Sequence, residues 1–167
     1  MQRSTKWTLG IVLAGLLVLS TNAFGAESDG TEMGGWGPQS PYNAKYKAVD
    51  MDYFKARVVK ITEVVPMEGM APGVALHVQE RGDDEVIVVH VCPTWYMEPG
   101  NIGLNRGDLV KIRGVWAEID GKDVFMASKI KKGEYFVLKV RLTKDGKPFW
   151  TMSPDELARE RAAVDSE

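Results

Sequence analysis

Residues 74–92 constrain this chain more than any other stretch. Two runs, 74–80 and 85–92, alternate apolar with polar side chains on either side of Arg81-Gly82-Asp83-Asp84, the period-two pattern of a β-hairpin. With Glu80 facing Glu85, Val74 meets Val91, Leu76 meets Val89 and Val78 meets Ile87. Every pair on that face is apolar, so it belongs to a core, and a slip of one residue would destroy the match.

The β pattern extends from about 53 to 131. A long first strand, 54–65, loses its alternation at Val58-Val59, the mark of a bulge. A Met-rich loop, Pro66 to Gly73, leads into the hairpin. Pro93 then ends the pattern, and 93–105 read as an irregular connection or short helix through Trp95-Tyr96-Met97. Arg106-Gly107-Asp108 turns into a fourth strand, 108–119, and Asp120-Gly121 is a tight turn into a fifth, 122–131. Five strands in this order, with an irregular segment between the third and fourth, predict an all-β domain over 53–150: a small OB-like five-stranded barrel. An added C-terminal β-hairpin is expected at 135–142 and 147–150, around Lys144-Asp145-Gly146. Ser153-Pro154-Asp155-Glu156 is a capping-box start for a short charged C-terminal helix within 151–167. Ahead of the strands, 27–52 is rich in Gly, Ser, Pro and aromatics, and reads as an extended N-terminal arm or a loop laid over the domain.

Residues 1–26 have the layout of a secretory leader. Arg3 and Lys6 precede the apolar run Leu9 to Leu19, and Ala23-Phe24-Gly25-Ala26 supplies small residues for cleavage. The run is short for a membrane span, so a cleaved signal and a periplasmic protein without an anchor are expected. The chain has 21 Lys and Arg against 23 Asp and Glu; cleavage removes Arg3 and Lys6 and no acid, which takes the net from −2 to −4. That balance, together with export, argues against a nucleic-acid partner. Cys92 is the only cysteine, so no internal disulfide staples the domain.

Catalytic chemistry is thinly supplied. Two histidines, one cysteine, no Ser/His/Asp grouping and no phosphate loop predict a protein that is not an enzyme. Gly34-Gly35-Trp36-Gly37 neither follows a strand nor opens a helix, so it fails as a nucleotide motif. In the hairpin register His77, His90 and Cys92 share the face away from the core. Two imidazoles and a thiolate suit zinc or copper; the plainer reading makes them strand residues with a small buried thiol, and no cofactor is expected on that reading. Met67 and Met70 pose the same choice between soft-metal ligation and gap filling. Aromatics offer the other binding hypothesis. Trp36, Tyr42 and Tyr46 of the arm, with His90 and with Trp95 and Tyr96 of the connector, form a candidate contact surface for a small ligand or a protein partner; alternatively they cap and plug the barrel.

Several of these segments resemble a known family. Gly35-Trp36-Gly37-Pro38, Ser40-Pro41-Tyr42 and Tyr46, then Pro66-Met67-Glu68-Gly69-Met70-Ala71-Pro72-Gly73-Val74, and then Val89-His90-Val91 with Pro93-x-Trp95-Tyr96, look like small exported bacterial proteins. Those proteins carry the domain named after the magnetosome proteins MamS and MamX. Gly107-Asp108 and Asp120-Gly121-Lys122 fit as well, and the resemblance spans about 35–150. The leading reading stays a binding domain for a small ligand or a protein partner, and the alternative is a metal-handling or redox accessory protein using His77, His90 and Cys92. Biomineralisation does not follow from the resemblance, because such domains occur in bacteria without magnetosomes. Some relatives add c-type haem motifs; this chain has no Cys-x-x-Cys-His, so no haem is expected. Cys92 stands where the family carries a small residue, which weakens the metal triad. Single-stranded nucleic-acid binding is a further alternative that rests on fold analogy alone.

Overall fold

The computed structural model describes residues 32–164; the expected leader, the first residues of the arm and the last three residues lie outside the described residues. Six strands form: β1 (Asp52–Val64), β2 (Gly73–Glu80), β3 (Ile87–Pro93), β4 (Leu109–Ile119), β5 (Lys122–Lys132) and β6 (Phe136–Lys139). They join in the order β3-β2-β1-β4-β5-β6, with antiparallel neighbours throughout. β3 also runs parallel to β5 through Val89–Phe125 and His90–Met126. The ladders therefore lead from β1 through β2, β3, β5 and β4 back to β1.

The alternation of apolar residues explains which face turns inward. Val58 of β1, Val74, Leu76 and Val78 of β2, Val89 of β3, Ile112 of β4 and Ile130 of β5 are all fully buried in one core. The bulge expected in β1 is present: pairing with β2 shifts between Val58 and Lys60. At the β4–β5 turn, Asp120 (φ 50°) and Gly121 (φ 72°) both adopt positive φ, the backbone that a two-residue hairpin turn requires.

The β2–β3 hairpin keeps the expected register over Val78–Ile87, His77–Val88, Leu76–Val89 and Ala75–His90, then shifts so that Val74 faces Cys92. This second bulge breaks the alternation of β3. Val91 and Cys92 both enter the core, and Cys92 does not share the outer face with His77.

Two further expectations change. The second arm of the C-terminal hairpin reduces to a single bridge, Arg141–Pro148, followed by a 3-10 turn at Phe149–Thr151. Here Pro148 cannot donate to a ladder. The described part of the arm is not extended: it carries a 3-10 turn at Glu32–Gly35, the one-turn helix α1 (Pro41–Ala44) and a second 3-10 turn at Ala48–Asp50. The Ser40 hydroxyl caps α1 by accepting from the Asn43 amide at 3.1 Å. The C-terminal helix α2 (Pro154–Val164) starts at the expected capping box, with Ser153 Oγ accepting from the Glu156 amide and Glu156 Oε2 from the Ser153 amide. No helix among the described residues is long and apolar enough to cross a membrane.

Candidate functional site

A cleft of about 540 Å³ opens on the outer face of β2 and β3. Its remaining walls come from the end of β1 with the start of the β1–β2 loop, and from the β4–β5 turn. Lys60, Thr62 and Glu63 supply polar groups from β1, Asp120 from the β4–β5 turn, Lys122 and Asp123 from the start of β5, and His77 and His90 from the floor. Val64, Val65, Pro66, Ala75, Val88, Ile119 and Val124 make up the apolar lining. Sequence reasoning placed the two histidines on one face, because His77 pairs with Val88 and His90 lies two residues further along β3. It missed the opposite wall, which comes from chain about 30 residues away and is brought in by the β3–β5 contact.

Both imidazoles are neutral bases. His77 is half-buried, and its Nε2 lies 2.9 Å from Thr62 Oγ1. Partial burial and then the nearby Lys60 charge lower its pKa from 6.5. His90 is buried, and burial takes its pKa down to about 4. Its Nδ1 lies 3.3 Å from the Tyr42 hydroxyl, and the two rings stack with centroids 6.0 Å apart. Burial pushes the Tyr42 phenol well above its ordinary pKa, with Arg141 opposing. The phenol and the imidazole are therefore both neutral, and the hydrogen bond between them carries no charge.

Behind His90 stands an aromatic cage that the sequence did not disclose. Arg141 is 2 % exposed and its guanidinium lies 4.9 Å from the Tyr46 ring and 4.8 Å from the Trp150 ring. It donates to Asn43 Oδ1 at 2.7 Å and to the Gly146 carbonyl at 3.3 Å, and it hydrogen-bonds the Tyr42 side chain. Trp36 packs edge-on against Tyr42 and Trp150, at 4.8 and 5.6 Å. Its Nε1 donates to the Ala71 carbonyl, and its own carbonyl accepts from Trp150 Nε1 and Asn43 Nδ2, each at 2.9 Å. Gly73 is required beneath it, because a Cβ there would strike the Trp36 ring.

These contacts relocate most of the candidate residues. Trp36, Tyr42 and Tyr46 are core side chains, each contributing about 2–3 kcal/mol by burial, and they offer no outer face to a partner. Tyr96 is half-buried beside Trp150. Trp95, at 48 % exposed, remains on the surface. His90 keeps its position as a wall of the cleft. The metal triad is not assembled, because the β3 bulge carries Cys92 into the core. No group of three His, Cys, Asp or Glu side chains able to hold a metal occurs among the described residues. The Cys92 thiol is fully buried, and burial pushes its pKa up to about 12, the state of an inert structural cysteine. Met67 and Met70 pack against the core.

A family model described as the MamS/MamX magnetosome protein family matches residues 50–137. No curated protein and no solved structure matches the chain.

Proposed function

We propose that this chain, which belongs to the MamS/MamX magnetosome protein family, is a non-enzymatic, exported binding module that holds a small ligand or a short segment of a protein partner in the His77–His90 cleft. The ring of ladders is read as an OB-like barrel. In barrels of that kind the faces of the second and third strands, flanked by the loops after the first and fourth, form the ligand site. The cleft occupies that position.

One observation carries this reading: two neutral imidazoles and an apolar lining share a single concavity. Mostly apolar clefts with a few polar groups are the usual form of a ligand site. The His90 ring and the Thr62–His77 pair supply hydrogen bonds without fixed charge, while Lys60, Glu63, Asp120, Lys122 and Asp123 surround them with charges of both signs. Such a lining favours an uncharged, polar-decorated ligand over a strong anion or cation.

The test is a fragment screen followed by the imidazole ring signals in NMR. Ligands that shift both the His77 and His90 ring resonances, and lose affinity in a His77→Ala variant, support the proposal. Binders confined to other surfaces, leaving both rings unmoved, would overturn it.

A further inference from the structure

We infer that the outer face of β1, β4 and β5 is a docking surface for an anionic lipid bilayer. The sheet register builds it. Lys55 faces Lys111, and Lys111 faces Lys131, so three lysines stand in one row across three adjacent strands. The neighbouring positions on the same face add Arg113 opposite Tyr53, and Arg57 opposite Leu109. Neighbouring strands are about 4.8 Å apart, so the row packs like charges at close range.

Like charges directly opposite one another destabilise a sheet, and among the described residues no ion pair offsets the row. The ion pairs among the described residues join Lys132 to Asp108, Lys139 to Glu160 and Lys147 to Glu156; none includes Lys55, Lys111 or Lys131. The concentration of cations is also local, since the whole chain carries a net charge of −2. A shallow groove of about 850 Å³ runs over this face, lined by the three lysines and also by Glu80, Arg81 and Asp83.

The other side chains of the patch select the partner. Leu109 is 65 % exposed, an aliphatic group standing among cations, as in proteins that rest on headgroups and reach toward the acyl boundary. Tyr53 is the aromatic of the patch, and Lys111 Nζ already covers its ring at 4.3 Å. A single nucleic-acid strand gains most from uncovered aromatic platforms on which bases stack, and the Tyr53 ring is covered on one side by Lys111. A two-dimensional lattice of cations around an exposed leucine fits the anionic headgroups of a bilayer.

Sedimentation with vesicles tests the inference. The purified chain should bind vesicles of equal parts phosphatidylglycerol and phosphatidylcholine, release in high salt, and ignore vesicles of phosphatidylcholine alone. Each basic residue near an anionic surface contributes roughly fivefold in partitioning. The triple variant Lys55→Gln/Lys111→Gln/Lys131→Gln should therefore lose on the order of 100-fold. Its melting temperature should hold or rise as the repulsion is relieved, which separates lost docking from lost folding. Leu109→Ser should weaken the binding that survives in added salt. Equal binding to both vesicle types, no binding to either, or an unchanged triple variant overturns the inference. Binding to a single-stranded oligonucleotide with no binding to vesicles would do so in favour of a nucleic-acid face.

Discussion

Arg141 Nη2 donates to Asn43 Oδ1 across 2.7 Å, joining residues 98 positions apart in a site closed to solvent. Among the described residues no carboxylate pairs with this guanidinium. Its charge rests on two ring faces, the Asn43 amide, the Gly146 carbonyl and the Tyr42 phenol, a combination of cation–π and hydrogen-bond contacts.

Replacing Arg141 with Ala should therefore cost about 3 kcal/mol or more, since it leaves a cavity and unpaired buried acceptors at Asn43 and Gly146. Arg141→Lys keeps the charge but loses the planar fork, and should also be destabilised. Urea denaturation measures both; a variant within about 0.5 kcal/mol of the parent would show the cage to be dispensable.

Stability should fall in mild acid because of His90. Its folded pKa, about 4, lies below the ordinary 6.5, so the unfolded chain binds the extra proton first. The contribution is fully present above about pH 6.5 and is lost as pH falls toward 4, on the order of 3 kcal/mol in all. His77, shifted in the same direction, adds to the slope. Asp108, held below the usual carboxylate range by the Asn105 amide and then by Lys132, extends the loss to lower pH. Denaturation curves at pH 7 and pH 4.5 should differ less for His90→Gln than for the parent; equal differences would remove His90 as the cause.

Cys92 should resist thiol reagents in the native state at pH 8, since its thiol is buried and protonated. Its alkylation rate then reports opening of the core and should rise steeply with denaturant. Rapid native labelling would contradict its placement.

Ser153→Ala should loosen α2 by about 1 kcal/mol through loss of the capping box. Its effect belongs in amide exchange along 154–164, with little change in the melting of the strands. Lys147–Glu156 at 2.9 Å is exposed and should retain little of the helix by itself.

The strands were legible because alternation is a local signal. Val74, Leu76 and Val78 against Ile87, Val89 and Val91 pointed to one face, and the slip at Val58-Val59 marked a true bulge. The bulge at Val74–Ala75 left no such trace, because Val91 and Cys92 are both apolar enough to be buried; hence Cys92 was assigned to the wrong face. Half of the cleft was legible as well, through the diagonal of His77 and His90. The wall from Ile119 to Val124 depends on a β3–β5 pairing of only two residue pairs, which no short-range pattern encodes. Trp36 lies among glycines with no period to reveal its burial. Arg141 reads as an ordinary surface cation until the rings of Tyr46 and Trp150 are seen around it.

The Trp36 carbonyl accepts from Trp150 and from Asn43, so the segments before β1 and after β6 are fastened to each other behind the sheet. The stretch shared with the family, 50–137, ends short of both. A polypeptide cut to those limits would keep every strand except the last two residues of β6, yet it would uncover the back of β2 and β3 where Trp36 lies over Gly73. The packing that closes this core therefore reaches past both ends of the matched stretch, from Trp36 to Trp150.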